Sequence, residues 1–232
     1  MVYLPQHFAE TDDTAMHQLI GDFPLGTLVT VGSDGLVANH IPFILDPRAG
    51  EHGRLLGHVA RNNAVWRDHD PDMEALVVFQ SVEAYITPNW YATKRETHEV
   101  VPTWNYAVVH AYGRLIVHDD VKWVRGQAGM LTKQQEASQP SPWKMADAPP
   151  AYTTANLEQI VGIEIPIVRL VGKFKASQNR RDVDRAGAIA GLRETDQPAN
   201  VAMADFMDAI HHRGRKSPAA TRPRHGIGVT NP

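Results

Sequence analysis

Residues 104–118 read WNYAVVHAYGRLIVH, and their alternation predicts one long β-strand with two unlike faces. Successive side chains on a strand point to opposite sides of the sheet. One face collects Asn105, Ala107, Val109, Ala111, Gly113, Leu115 and Val117, small and apolar enough to pack closely. The other collects Trp104, Tyr106, Val108, His110, Tyr112, Arg114, Ile116 and His118, bulky side chains with polar tips. Upstream, YITPNWY begins at Tyr85, so Tyr85, Trp90, Tyr91, Trp104, Tyr106 and Tyr112 crowd into one segment. Tryptophan and tyrosine join a large apolar body to a polar handle, which suits a flat ligand or a second chain. Aromatic plugs closing the edge of a β-rich core would produce the same cluster.

Outward from this strand, hairpin signals dominate. Gly26 to Gly32 reads as a strand, Ser33-Asp34-Gly35 as a turn, and Leu36 to Leu45 as the returning strand. Arg54 to Ala60 and Ala75 to Thr87 read as further strands, with a short helix near Asn63 to Asp68. Gly162 to Lys175 reads as a last strand, interrupted by Pro166, which implies an edge or a bulge. Thr11 is placed to cap a first helix carrying Met16, Leu19, Ile20 and Phe23, ended by Pro24. Asp119 or Asp120 caps a helix running to about Ala137, and Thr153 or Thr154 to Val161 forms a short one. Two more run near Val183 to Glu194 and Asn200 to His212. Strands that precede any long helix argue for an antiparallel barrel with helices packed outside, a mainly β fold with α additions (α+β).

Composition narrows the function classes. A chain of 232 residues can bury a full core. Its 16 prolines and 17 glycines favour turns over a helical bundle. A formal charge of −3 predicts no general attraction to nucleic acid or to an anionic membrane. The absence of cysteine excludes disulfides, thiolate metal sites and cysteine nucleophiles, and fits a cytoplasmic protein. No basic start followed by an apolar run marks a signal peptide, and no apolar segment approaches the roughly 18 residues of a membrane span. The 12 histidines form no HExxH or comparable set, so no metal site is expected. No GxSxG, Walker loop or GxGxxG sits in the context its chemistry needs.

Three constellations could carry chemistry. In GHVARNNAVWR, Gly57 to Arg67, a strand ends and Arg61, Asn62 and Asn63 open a helix. Free backbone N–H groups and a cation there suit a phosphate, although an ordinary asparagine-capped helix would look the same. In GKFKASQNRR, Gly172 to Arg181, Lys173 and Lys175 share a strand face, and Ser177, Gln178 and Asn179 supply short donors. This suits an anionic cofactor or an acceptor-rich ring edge, or simply a solvated strand-to-helix turn. In NHIPFIL, Asn39 to Leu45, His40 and Pro42 share a face, and the proline interrupts the ladder where a ligand approaches or where a sheet ends.

Taken in order, HIPF, GHVARNN, YITPNWY, VPTWNYAVVHAYGRL and KASQNR resemble the PaiB-like FMN-binding negative transcriptional regulators, from about Val2 to Leu192. Asn63 replaces a common proline, Thr87 a common serine and Ala176 a common leucine; none removes a charge. The resemblance implies an antiparallel split β-barrel with peripheral helices, a homodimer, and FMN at the subunit interface. It implies an FMN-binding unit over 1–195, with a C-terminal helix and basic tail over 196–232. It places cofactor contacts at His40, Pro42, His58, Arg61, Asn62, Asn63, Trp104, Asn105, Tyr106, Lys175, Gln178 and Asn179. The phosphate falls at the Arg61 helix start and the isoalloxazine near the Trp104 face, with Lys175, Gln178 and Asn179 reaching in from the partner subunit.

The regulatory mechanism is not visible in the residues. The helix from Asp120 has no partner helix three or four residues away, so no helix-turn-helix is evident and DNA binding has no motif behind it. Basic charge concentrates only in the tail from His211, with Arg213, Arg215, Lys216, Arg222 and Arg224, which reads as a solvated terminus or a strap along a neighbouring subunit. An FMN-dependent oxidoreductase or flavin reductase is one alternative. A haem-binding barrel using His40, His58 and His110 is another. No side chain is an evident general acid or base.

Overall fold

The computed structural model describes residues 2–216. In chain order the elements are β1 (Ala9–Glu10), α1 (Asp13–Asp22), β2 (Leu25–Gly32), β3 (Gly35–Pro42), β4 (Ile44–Asp46), β5 (Arg54–Ala60), β6 (Ala75–Ile86), α2 (Lys94–Thr97), β7 (Thr103–Gly113) and β8 (Ile116–His118). Then follow α3 (Val121–Glu136), α4 (Pro150–Leu157), β9 (Ile160–Pro166), β10 (Arg169–Lys175), α5 (Asp182–Glu194) and α6 (Pro198–Lys216). One sheet has the order β1-β10-β7-β6-β2-β3 and the other β4-β5-β9-β8, with every pairing antiparallel. The fold is a split β-barrel with helices on its outside.

Three runs each read as one strand are broken at a corner, and two of the breaks fall at the prolines read as interruptions, Pro42 and Pro166. Residues 36–45 divide into β3 and β4, 104–118 into β7 and β8, and 162–175 into β9 and β10, and each pair contributes one member to each sheet. At each corner one apolar side chain, Phe43, Leu115 or Ile167, turns into the core. At two of the bends backbone donors find new acceptors: Phe43 N–H reaches Pro24 O, Ile167 N–H reaches Gly53 O and Val168 N–H reaches Tyr112 O, each at 2.9 Å. Two corners touch at Gly113, where an added Cβ would lie 2.0 Å from the Pro166 carbonyl oxygen. Hydrophobic alternation runs straight through the corner at Leu115, which carries no proline, and that run therefore reads as unbroken.

The two faces read from the sequence are real. Ala107, Val109 and Ala111 are fully buried against Leu28, Val77 and Phe79 inside the barrel. A bulge in β6 between Gln80 and Glu83 shifts the alternation, so that Gln80, Glu83 and Tyr85 all share the outer face. A second apolar cluster forms where α5 and α6 cover the far end of β6, joining Ile86, Tyr91, Leu192, Met203 and Met207. Trp90 lies against α5, where a Cβ on Gly191 would meet its ring at 2.3 Å.

Helix boundaries needed corrections. Asp12, not Thr11, caps α1, its carboxylate accepting from Thr14 N–H. Asp120 caps α3 by accepting from Trp123 N–H. The helix expected up to Val161 is instead α4, and β9 already begins at Ile160. The helix expected after Asn63 is only a 3-10 turn, Ala64–Trp66. α6 extends past His212 to Lys216, and the tail arginines Arg222 and Arg224 lie outside the described residues. Among the described residues, no helix is long and apolar enough to cross a membrane.

Candidate functional site on the outer face of the larger sheet

The outer face of the six-stranded sheet is where the expected site residues meet. Paired residues in an antiparallel ladder present side chains on the same side. One row therefore runs Lys175–Tyr106–Glu83, the next Lys173–Val108–Gln80, and a third Val171–His110–Val78–Thr27–His40. Trp104 stands opposite Tyr85, and their rings meet edge to face at 5.9 Å. Trp104 is 50% exposed and Tyr85 47%, so two large aromatics face solvent on a sheet side that is ordinarily polar. At the centre, His110 Nδ1 is buried without a hydrogen-bond partner, and burial holds its pKa below the usual histidine value.

Lys175 leans across the start of β7. Its ammonium donates to Thr103 Oγ1 and to the Trp104 carbonyl, 6.0 Å from the centre of the Tyr106 ring. Burial is the main reason its pKa is lowered, helped by the positive charges of Lys173 and Arg180. The turn that follows is built from within. Ser177 is buried at φ 62, the left-handed region that non-glycine residues rarely adopt. Its Oγ accepts from Asn105 Nδ2 at 2.9 Å.

Asn105 is fully buried on the inner face and also contacts Met207 Sδ at 3.3 Å. It therefore cannot touch a ligand on the outer face, and it acts by holding the Ser177 turn. Gln178 likewise folds back on its own turn, accepting from Ala176 N–H at 2.7 Å and donating to the Phe174 carbonyl. Asn179 is exposed.

The second group lies elsewhere. Arg61 makes a two-pronged ion pair with Asp119, Nη1 to Oδ2 at 3.0 Å and Nη2 to Oδ1 at 2.6 Å, and its Nε donates to the Glu158 carbonyl at 2.6 Å. That pairing raises the Arg61 pKa and lowers that of Asp119. The guanidinium is thus not free as the sequence suggested, and the short 3-10 turn lacks the aligned dipole of a helix start. Asn63 caps that turn by accepting from Val65 N–H at 3.0 Å and donates to Asn39 Oδ1 at 2.7 Å, which ties the segment to β3. Asn62, His40 and Pro42 are exposed, the last two on the outer side of the edge strand β3.

His58 belongs to the other sheet, with Nδ1 2.7 Å from Gln127 Oε1 on α3, and is turned away from the Trp104 face. His40, His58 and His110 are therefore not gathered around one point. Among the described residues no group of three or more His, Asp or Glu is placed to hold a metal ion.

Residues 2–169 match the family described as "Putative FMN-binding domain". The chain belongs to this FMN-binding family. A protein of Emericella nidulans is 35% identical, covering 89% of this chain and 96% of its own length. The protease synthase and sporulation protein PAI 2 of Bacillus subtilis is 29% identical, covering 89% and 97%. Among solved structures, the flavocytochrome Anf3 of Azotobacter vinelandii superimposes with a TM-score of 0.59 at 11% identity, over 79% of this chain and 78% of that one. The FAD and heme binding protein of Mycobacterium smegmatis gives 0.53 at 16% identity, over 77% and 79%. At such identities these two establish a shared fold.

Two features of this FMN-binding family member escaped the sequence reading. Asp119 is the carboxylate that occupies Arg61, yet it lies 58 residues away along the chain, with no local signal linking them. Lys173 was visible as the neighbour of Lys175, two residues apart on one strand face, but its burial was not. The helix pair absent around Asp120 exists at the other end, where three residues join α5 to α6. Arg193 at the end of α5 is held there by Asp205 and Asp208 of α6.

Proposed function

We propose that the protein binds FMN between two copies of itself and acts as a negative transcriptional regulator of the PaiB type. The observation that carries the flavin site is the half-exposed aromatic face of the larger sheet, with Trp104, Tyr106 and Lys175 at one end. His40, Pro42 and the Arg61–Asn63 turn lie toward the other. Along β7, Trp104 stands six residues from His110, about 20 Å, and His40 lies three strands from His110, about 14 Å. A three-ring flavin nucleus does not bridge that diagonal within one chain. A two-fold axis would bring the Arg61 end of one copy to the Trp104 end of the other, since a closed dimer pairs unlike patches reciprocally. The isoalloxazine then lies on Trp104 and Tyr106 with Lys175 and Asn179 at its edge, and Arg61, Asn62 and Asn63 of the other copy take the phosphate. When bound, the flavin supplies the redox chemistry; the chain's residues supply binding and orientation.

Regulation through this site follows from its position at the interface, where loading or reduction of the flavin would alter how two copies fit. The family membership and the PAI 2 relative support this reading. The first test is the absorbance spectrum and mass in solution of the purified protein: a flavin band and a dimer are expected. The second uses the ion pair at Arg61. Arg61→Ala should weaken FMN by about 10–100-fold, the worth of a charge-assisted phosphate contact. Asp119→Asn should free the guanidinium and tighten FMN several-fold. Unchanged affinity in both variants would remove the phosphate from this turn. NAD(P)H oxidation by the loaded protein, with no effect of the flavin on any promoter, would replace the regulator with an oxidoreductase.

A further inference from the structure

We propose that Lys173 and Lys175 form an anion subsite, which receives the phosphate or carboxylate of a ligand lying against Tyr106. The inference rests on the same sheet face as the flavin reading but not on a flavin being its occupant. Lys173 is 9% exposed as a residue, its stem packed along the sheet while its ammonium reaches the surface of the face, as long cationic side chains do. Among the described residues no carboxylate is paired with it. Its Nζ has only ring faces nearby, Tyr106 at 5.4 Å and Tyr3 at 5.6 Å from the ring centres.

Lys175, one step along the same face, donates to neutral oxygens only. Arg180 brings a third positive charge close enough to help lower the Lys175 pKa. The described acid on this part of the face is Glu83, beyond Tyr106 and already accepting from Gln80 Nε2 at 2.7 Å. Glu10, on β1 beside β10, is turned the other way. It accepts from Thr11 and Asp12 N–H and faces Arg213, and its Cβ is what a side chain on Gly172 would meet.

Two ammonium groups side by side, neither with a carboxylate partner among the described residues and both beside Tyr106, leave the place of one anion open. Two sources fit: the phosphate of FMN itself, which would then not lie at Arg61 of the other copy, or a separate anionic small molecule held beside the ring. Their chemistry is the same, and the experiment separates them.

Wild type, Lys173→Gln, Lys175→Gln and the charge-keeping Lys173→Arg are titrated with riboflavin, FMN and inorganic phosphate at constant ionic strength, by calorimetry and tryptophan fluorescence. If the anion is the flavin's own, wild type prefers FMN over riboflavin by at least tenfold, and both glutamine variants lose that preference. If it is a second ligand, the preference survives, while inorganic phosphate binds wild type and weakens at least tenfold in both. Lys173→Arg retains binding in either case.

The subsite is refuted if both glutamine variants keep wild-type FMN preference and wild-type phosphate binding. It is equally refuted if wild type neither prefers FMN nor binds phosphate. Failure of both flavins to bind would overturn the flavin reading, while the phosphate titration would still decide the subsite.

Discussion

Asn105→Ala tests whether the turn carrying Lys175 is held from inside the barrel. In the wild type, Asn105 Nδ2 donates to Ser177 Oγ at 2.9 Å, and both side chains are buried. Truncation removes one hydrogen bond, worth about 1 kcal/mol, and strands a buried hydroxyl at a further cost of about 1–3 kcal/mol. It also withdraws support from Ser177 at φ 62, a conformation that itself costs roughly 1–2 kcal/mol for a non-glycine residue. A loss of about 3 kcal/mol is expected, or a fall in Tm of about 6–12 °C for a chain of this size.

Calorimetric melting at fixed protomer concentration measures it. Ser177→Gly separates the parts, because glycine relieves the strained φ while losing the hydroxyl. In the Asn105→Ala background the same change should be neutral or stabilising, giving a coupling of about 1–2 kcal/mol in a double-mutant cycle. FMN affinity should fall in Asn105→Ala although the residue cannot touch the ligand. A cost under about 1 kcal/mol, or no coupling, would show that the turn stands without Asn105 and refute the reasoning.

Gly113→Ala should fail more severely, by about 3 kcal/mol or more, because its Cβ would sit 2.0 Å from Pro166 O and 2.9 Å from Ile165 at a contact between two corners. Urea denaturation of the purified variant checks this, and a midpoint unchanged from wild type would contradict the corner geometry. His110 makes stability depend on pH. Its folded pKa is depressed, so below the unfolded value of about 6.5 the unfolded chain takes up a proton that the folded chain resists, and stability falls as pH drops toward the folded pKa. His110→Phe should flatten that part of the profile between about pH 7.5 and 5.5, and an unaltered slope would show that other histidines cause it.

The alternation in 104–118 was enough to establish an inner and an outer sheet face, because a period of two is set by strand geometry whatever the strand packs against. The turn at Ser33-Asp34 and the strand Arg54–Ala60 were readable for the same local reasons. The family motifs carried the FMN-binding assignment. Pro42 and Pro166 marked two interruptions, but sequence could not show that the chain there leaves one sheet for the other: Phe43, Leu115 and Ile167 continue the local pattern, and only the closing of the barrel bends the chain. Nor could it show the electrostatic state of the site. Arg61 looked like a free cation and is held by Asp119, whereas Lys173 looked like a solvated lysine and has its stem packed on the sheet, with no carboxylate partner among the described residues. Charge pairing and burial depend on contacts between residues far apart in the chain, and those exist only once the tertiary structure has formed.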